Sequence, residues 1–414
     1  MAAAQSPNEK PGPVPLGGRI RELDILRGFA LFGVLLVNLR FIGSPHLYWE
    51  HADVEGRWPG FPDRAAEWLI QVFVVAKFLS LFSFLFGLGF AIMMRRAGEK
   101  ETSFAPIYSR RLLALLGFGL LHSLLLWYGD ILATYAVLGF LMLAFRGRSE
   151  RSLLAWATIA LLVPIVLTAA AGALGDSGPQ SGSDDQLRNQ AMAAESIRAY
   201  RSKDFGEIMA RRVGDLSMAY AQTAPFFTFN FAMFLLGLYA GRRGIFDDIT
   251  GHLGLLRRVR RWGLVLGVAG NLLAVLALRY LGPGVAFLGV LAFSFGAPAL
   301  GFFYGSSVVL LAQRERWRRC LGPVAAIGRT ALSNYILQSL IATTLFYGYG
   351  LGLYARWGPA TDIPLAIGIY SLEMALSVGW LRRFRFGPLE WVWRSLTYWK
   401  RQPILVGERG SSQS

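Results

Sequence analysis

Cysteine is almost missing from this chain, with Cys320 alone among 414 residues. An internal disulfide is thereby excluded, and so is a Cys/His metal cluster, so no metal is expected. Charge is also scarce: 16% of residues are charged and 54% hydrophobic, with a mean hydropathy of +0.41. A soluble protein of this length holds two or three domains, but its apolar residues do not recur in bilayer-length runs. Acidic residues are the rarer sign, 26 against 42 basic, for a net charge of +16. Nucleic acid is nevertheless not an expected partner, because the arginines cluster at the ends of apolar runs, as the positive-inside rule requires. No P-loop, dinucleotide fingerprint or serine nucleophile elbow occurs. Glycine strings such as FLFGLGF lie within spans, where they signal close helix packing. The first apolar run lacks a small-residue cleavage site and reads as a retained span, not a signal peptide.

What remains is a succession of helix-length apolar runs. The expected fold is all-α: a polytopic membrane helical bundle of about ten transmembrane helices, plus a re-entrant segment and interfacial helices. Residues 1–18 read as a disordered tail rich in Pro and Gly, and 19–174 as an amino-terminal half of about five spans. Within that half the apolar tract 66–94 exceeds one bilayer and holds Lys77 near its middle, so a shallow or re-entrant piece should precede Lys77 and a true span follow it. Residues 175–224 read as an amphipathic helical cap on the outer side, 225–384 as a second half of about five spans, and 385–414 as an interfacial helix and tail. The second half includes one continuous span over 322–347. With both termini cytoplasmic, Arg95/Arg96, Arg146/Arg148, Arg242/Arg243, 257–261, 314–319 and 382–385 all fall in inside loops.

The stretch RIRELDILRGFALFGVLLVNL places polar residues on one face of the first span. At 100° per residue Asp24, Arg27 and Asn38 fall within about 60°, and Arg27 and Asn38 are separated by a rise of roughly 16 Å. Such a stripe should face a protein interior or a wet cavity. It reads either as an interfacial ion pair with a helix–helix amide contact, or as an anion contact at Arg27 with an orienting amide at Asn38. Arg111 and His122 repeat the spacing in the third span, and Asp130 lies about two turns beyond His122, at the outer rim. A turn that folds Asp130 back would make a His–carboxylate pair suited to acid–base work. Thr330, Asn334 and Gln338 form a stripe at i,i+4 steps, with Arg329 on its cytoplasmic side. It is either helix–helix glue or the wall of a cavity shared with the first span. Lys77 and Glu373 are lone mid-span charges that could pair with each other, and His46 and His51 lie in an outer loop read as solvated.

Six segments, RELDILRGFALFGVLLVNL, KFLSLFSFLFGLGFA, RRLLALLGFGLLHSLLLWYGDILATYAVLGF, AYRSKDFGEIMARR, GRTALSNYILQS and FRFGPLEWVWRSLTYWKRQP, together resemble the YeiB family. Its members are bacterial inner-membrane proteins with a carboxy-terminal domain of unknown function, DUF418. The resemblance covers nearly the whole chain after residue 18. The family is grouped with transmembrane acyltransferases, including heparan-α-glucosaminide N-acetyltransferase and the acyltransferase-3 group. The first-span RxxxLDxxRG…VN pattern of the former enzyme is matched by Asp24, Arg27, Gly28, Val37 and Asn38. In that enzyme the asparagine is functional and a catalytic histidine follows in the next luminal loop. His46 and His51 fall on either side of the matching place, and His51 opens the similar-looking HADVEG.

The resemblance implies an enzyme that moves an acyl group from cytosolic acyl-CoA or acetyl-CoA to an acceptor at the outer face. Arg27, Arg111 and Arg329 are then the expected acyl-CoA contacts. Asn38, His51, His122 and Asp130 are the candidate catalytic residues, and Asp24, Lys77, Asn334, Gln338 and Glu373 line the cavity. The expected surroundings are the lipid bilayer of a bacterial inner membrane, the donor and an acceptor, with a homodimer left open. Two other classes share the polar residues: a transporter of a small polar or acylated solute, and a structural partner of an envelope complex. A transporter would call for internal repeats or broken helices around a midplane site, and no repeat relates the two halves.

Overall fold

The computed structural model of the protein describes residues 20–99, 103–173, 183–281 and 285–406. The tail at 1–18, the linker at 175–182 and the last eight residues lie outside these. Among the described residues the chain is helical throughout, and its β-type pairing is a lone bridge from Phe384 to Leu405. In order come α1 (Arg21–Gly43), α2 (His51–Arg57), α3 (Phe61–Phe73), α4 (Lys77–Glu99), α5 (Phe104–Leu125), α6 (Leu132–Leu143), α7 (Glu150–Ala173) and α8 (Ser183–Arg201). The second half holds α9 (Phe205–Arg242), α10 (Leu253–Tyr280), α11 (Ala286–Ala312), α12 (Glu315–Cys320), α13 (Gly322–Arg329), α14 (Ala331–Phe346), α15 (Pro359–Leu381) and α16 (Pro388–Tyr398).

Seven helical segments are long and apolar enough to cross a bilayer, with α3 and α4 counted as one, and a bent pair within α9 makes an eighth. Two shorter apolar helices, α6 and α14, pack among them. Large apolar side chains point outward along these helices, among them Leu113, Leu121 and Leu125 of α5 and Val166 and Leu167 of α7. Water would reject such a surface and lipid accepts it. The protein is therefore a polytopic membrane bundle. The end where α1 begins is called basal below, and the opposite end distal.

Helix α1 is the packing centre, touching α4, α11, α13, α14 and α15. Its approach to α13 depends on two missing side chains. A Cβ on Gly28 would strike the Val324 carbonyl, and one on Gly328 would strike the Asp24 carbonyl. Tyr370 of α15 donates its hydroxyl to the Gly28 carbonyl at 2.8 Å, which locks a third helix at the same level. Cys320, exposed at the end of α12, lies at the basal rim.

Four expected boundaries move. Helix α5 begins early, at Phe104, and α10 at Leu253, so Arg257 to Arg261 sit on a helix, not in a loop. The cap does not stop before the sixth span: α9 runs from one into the other, bent by 64°. The apolar tract around Lys77 breaks where expected, between α3 and α4, and Ala76 there takes φ 66. The run expected as one span over 322–347 is two helices meeting at Thr330. Its side chain bonds back to the Ala326 carbonyl at 3.0 Å, the local competition that unravels a helix. The new amino terminus of α14 is then capped by α16: Glu390 accepts from the N–H of Leu332 at 2.6 Å and of Ser333 at 3.2 Å.

Candidate functional site

At the basal end, Arg27 bonds Asp24 one turn below it, Nη1 to Oδ1 at 3.1 Å. Arg111 sits over the indole of Trp393, guanidinium carbon 3.7 Å from the ring centroid, and the Trp393 N–H donates to the Arg111 carbonyl at 2.8 Å. The ring face attracts the cation electrostatically. The Arg111 guanidinium makes no hydrogen bond among the described residues, and Arg27 is near enough to repel it. Arg329 ends α13, the helix seated on α1, and donates to the Arg385 carbonyl at 3.3 Å. The fold thus gathers the three expected arginines at one end of the bundle.

Three turns along α1, the half-buried amide of Asn38 makes no hydrogen bond among the described residues. Two residues further, Arg40 is buried and gripped by the Glu67 carboxylate of α3. Arg40 also donates Nη2 to His46 Nε2 at 2.8 Å. That assigns the His46 proton to Nδ1, which donates to Ser44 Oγ at 2.7 Å, and Ser44 donates to the Arg40 carbonyl at 2.7 Å. Both His46 nitrogens are therefore occupied. Burial, and then the Arg40 charge, hold its pKa down to about 3. The outer loop does not solvate His46, contrary to expectation, because Arg40 draws it inward.

His51 differs. It opens α2, fixed there by a capping box in which Asp53 accepts from the Glu50 N–H at 2.9 Å. Its Nδ1 stands 3.5 Å from Glu67 Oε1, and its side chain is 47% exposed against 1% for Glu67. Its Nδ1 thus faces a buried carboxylate while nearly half of the side chain stays exposed. Above this corner the cap forms a roof: Tyr48 and Tyr200 both donate to Asp215, at 2.6 and 2.8 Å, and Arg211 pairs with the same carboxylate at 2.8 Å.

The turn after α5 does fold Asp130 back onto His122, Nδ1 to Oδ1 at 2.9 Å. The other Asp130 oxygen accepts from the Ala133 N–H at 2.7 Å, capping α6. His122 Nε2 accepts from Ser339 Oγ of α14 at 2.8 Å, so a Ser–His–Asp chain is fully assembled and buried. Among the described residues, the proton that His122 Nε2 reaches is that of Ser339.

The remaining polar residues pair locally or between α14 and α15. Lys77 and Glu373 do not meet. Lys77 donates to the Gln71 carbonyl at 2.8 Å, and Glu373 accepts from Gln338 at 2.8 Å. Asn334 donates to Thr330 Oγ1 at 3.0 Å and to Ser377 Oγ at 2.9 Å. The α14 stripe thus faces α15. Gln338 Oε1 and Glu373 Oε1 are buried without a hydrogen-bond partner.

Sequence reasoning missed Arg40, Glu67, Ser339 and Ser377. Arg40 carried a readable signal, an arginine at the wrong end of a span for the positive-inside rule. Glu67 is a carboxylate at the mouth of an apolar tract, which was also visible. The two serines carry none, since helix-packing serines are ordinary in membranes. No group of three or more His, Cys, Asp or Glu side chains suits a metal ion among the described residues.

Residues 240–400 match the family described as "Protein of unknown function (DUF418)". The chain is 37% identical over 411 residues to the "Uncharacterized protein YxaH" of Bacillus subtilis (strain 168), covering 95% of this chain and 97% of that one. It is 33% identical over 393 residues to the "Uncharacterized protein YeiB" of Escherichia coli (strain K12), with 91% and 95% covered. An "Uncharacterized 39.9 kDa protein in amylase 3'region" of Bacillus acidopullulyticus is 30% identical over 407 residues, with 95% and 98% covered.

Proposed function

Since the chain belongs to the YeiB family, whose carboxy-terminal part is the domain DUF418, we propose that it is a membrane-embedded acyltransferase working across the bilayer of a bacterial inner membrane. The basal end is cytoplasmic in this reading. There Arg111 and Arg27, with Arg329 alongside, take the phosphates of acyl-CoA, and the acyl arm runs along α1 towards Asn38. The observation that carries the reading is the Arg111 guanidinium, held over the Trp393 ring with its N–H groups unbonded among the described residues. Such a fork suits a phosphate.

At the distal end His51 is the general base. Glu67 orients it, as a carboxylate fixes an imidazole tautomer, and the exposed part of its side chain is open to an acceptor hydroxyl or amine. The acceptor oxygen or nitrogen attacks the thioester carbon and its proton passes to His51. The C–S bond breaks, and the sulfur leaves as the CoA thiolate, which the proton finally neutralises. Asn38 donates to the thioester oxygen as charge builds there, a contribution of about 3 kcal/mol for one such donor. His46 has no nitrogen to spare. His122 acts as a positioning group that ties α5 and α14 through Asp130 and Ser339.

The test uses the detergent-purified protein. Acetyl-CoA should raise its melting temperature, and Arg111→Ala should abolish that rise. His51→Ala should keep the rise but lose release of free CoA in the presence of envelope extract, on the order of a hundredfold or more for a lost general base. Ser339→Ala should retain CoA release. Absence of any acetyl-CoA shift sinks the reading.

The broken spans α3/α4 and α13/α14 support a second reading, a transporter, since interrupted helices line many solute sites. Against it, the broken ends are occupied by the protein's own groups: Lys77 on the Gln71 carbonyl and Glu390 on the α14 amides.

A further inference from the structure

Where α10 and α11 meet at the basal end lies a groove of about 450 Å³, lined by Arg257, Arg258, Arg260, Arg261, Leu264 and Phe303. None of its lining residues is acidic. The four guanidinium groups make no ion pair or hydrogen bond with the described residues, and all four arginines are exposed. The nearest preceding carboxylates are already engaged. Asp247 is held in a fork by Arg95 at 2.6 and 2.8 Å, and Asp248 accepts from Thr250 Oγ1 at 2.7 Å and the Gly251 N–H at 2.9 Å.

This arrangement is locally unfavourable as it stands. Arg257 is i,i+3 to Arg260 and i,i+4 to Arg261, a spacing at which like charges repel. The charges also follow closely on the amino terminus of α10, whose first turn has no acidic residue and whose cap makes no side-chain hydrogen bond. The helix dipole adds positive potential there. An anion would relieve both effects.

The floor states what kind of anion. Leu264 and Phe303 are apolar, and beyond the groove Trp262, Val265 and Leu266 continue along α10 as outward-facing apolar surface, 52%, 53% and 56% exposed. A free phosphate has no use for that strip, whereas an acyl chain lies along it. We propose that the groove binds an anionic phospholipid, its phosphate among the four arginines and its chains on the outer face of α10. The proposal is independent of the acyltransferase reading, since none of these residues serves it.

The test is native mass spectrometry of the detergent-purified full chain titrated with phosphatidylglycerol, phosphatidylcholine or inorganic phosphate. Phosphatidylglycerol should be retained and phosphatidylcholine should not. The quadruple variant R257Q/R258Q/R260Q/R261Q should lose phosphatidylglycerol occupancy by about tenfold or more, given the attraction each surface arginine exerts on an anionic lipid. Arg260→Glu alone should lose most of it, which guards against a misfolded quadruple variant. A control with four equally exposed basal arginines changed, R314Q/R316Q/R382Q/R383Q, should retain the lipid. Equal retention of phosphatidylcholine, displacement by millimolar inorganic phosphate, or an equal loss in the control overturns the proposal.

Discussion

Two histidines five residues apart in one loop end with opposite chemistry, and the cause is which carboxylate or cation each one meets. His46 sits under Arg40 with both nitrogens bonded, its pKa held at about 3 against the ordinary 6.5. Its folded value lies below its unfolded value, so between those limits the unfolded chain binds a proton that the folded chain refuses. The stability it contributes is whole above pH 6.5 and falls as the pH drops towards 3. By pH 5.5 the loss from this one group is about 1.4 kcal/mol. The apparent melting temperature of the purified protein should therefore fall between pH 7 and pH 5, and less steeply in His46→Gln, as differential scanning fluorimetry would read. Of the residues around the distal corner, Asn38 and His51 were legible from spacing and resemblance. Glu67 as the partner of His51 was not, because nothing in a linear chain says which carboxylate will reach a loop histidine. The same holds for Ser339, which reaches His122 from 217 residues away.

At the scale of helices, the two interrupted spans show how a backbone ends inside a membrane without exposing bare polar groups. The last carbonyls of α3 have no helical partner, and Lys77, the first residue of α4, turns its ammonium onto the Gln71 carbonyl. A mid-span lysine that looks like a functional charge is thus a helix cap. Lys77→Met keeps the apolar stem and strips the cap, and should cost about 1–3 kcal/mol for the carbonyl left unsatisfied. Its acetyl-CoA shift should survive, and chemical denaturation in mild detergent measures the loss. The break at Lys77 was legible from length alone, since the tract 66–94 is too long for one bilayer. The break at Thr330 was not. Helix periodicity runs smoothly through GRTALSNYILQS, and the carboxylate that caps the second piece, Glu390, arrives from 58 residues downstream.

For the whole molecule, the seven to eight long apolar helices of the described residues, with the shorter α6 and α14, leave Ile20 and the carboxy-terminal helix α16 at the same end, alongside Arg257 to Arg261 and Arg314 to Arg319. Apolar run lengths and arginine placement carried that much, because bilayer thickness and membrane charge act on every pass alike. Side-chain pairing obeys no such common rule, which is why the fold was more legible than the site. In the proposed orientation the basal rim is cytoplasmic, and Cys320 stands exposed on that rim as the chain's single thiol. A membrane-impermeant maleimide should accordingly tag the wild-type protein in inverted vesicles and leave it untouched in intact spheroplasts; tagging in spheroplasts would turn the molecule over. No cysteine need be removed or introduced beforehand, so the unaltered polypeptide carries one built-in attachment point for a dye or spin label, sited where sidedness can be read directly.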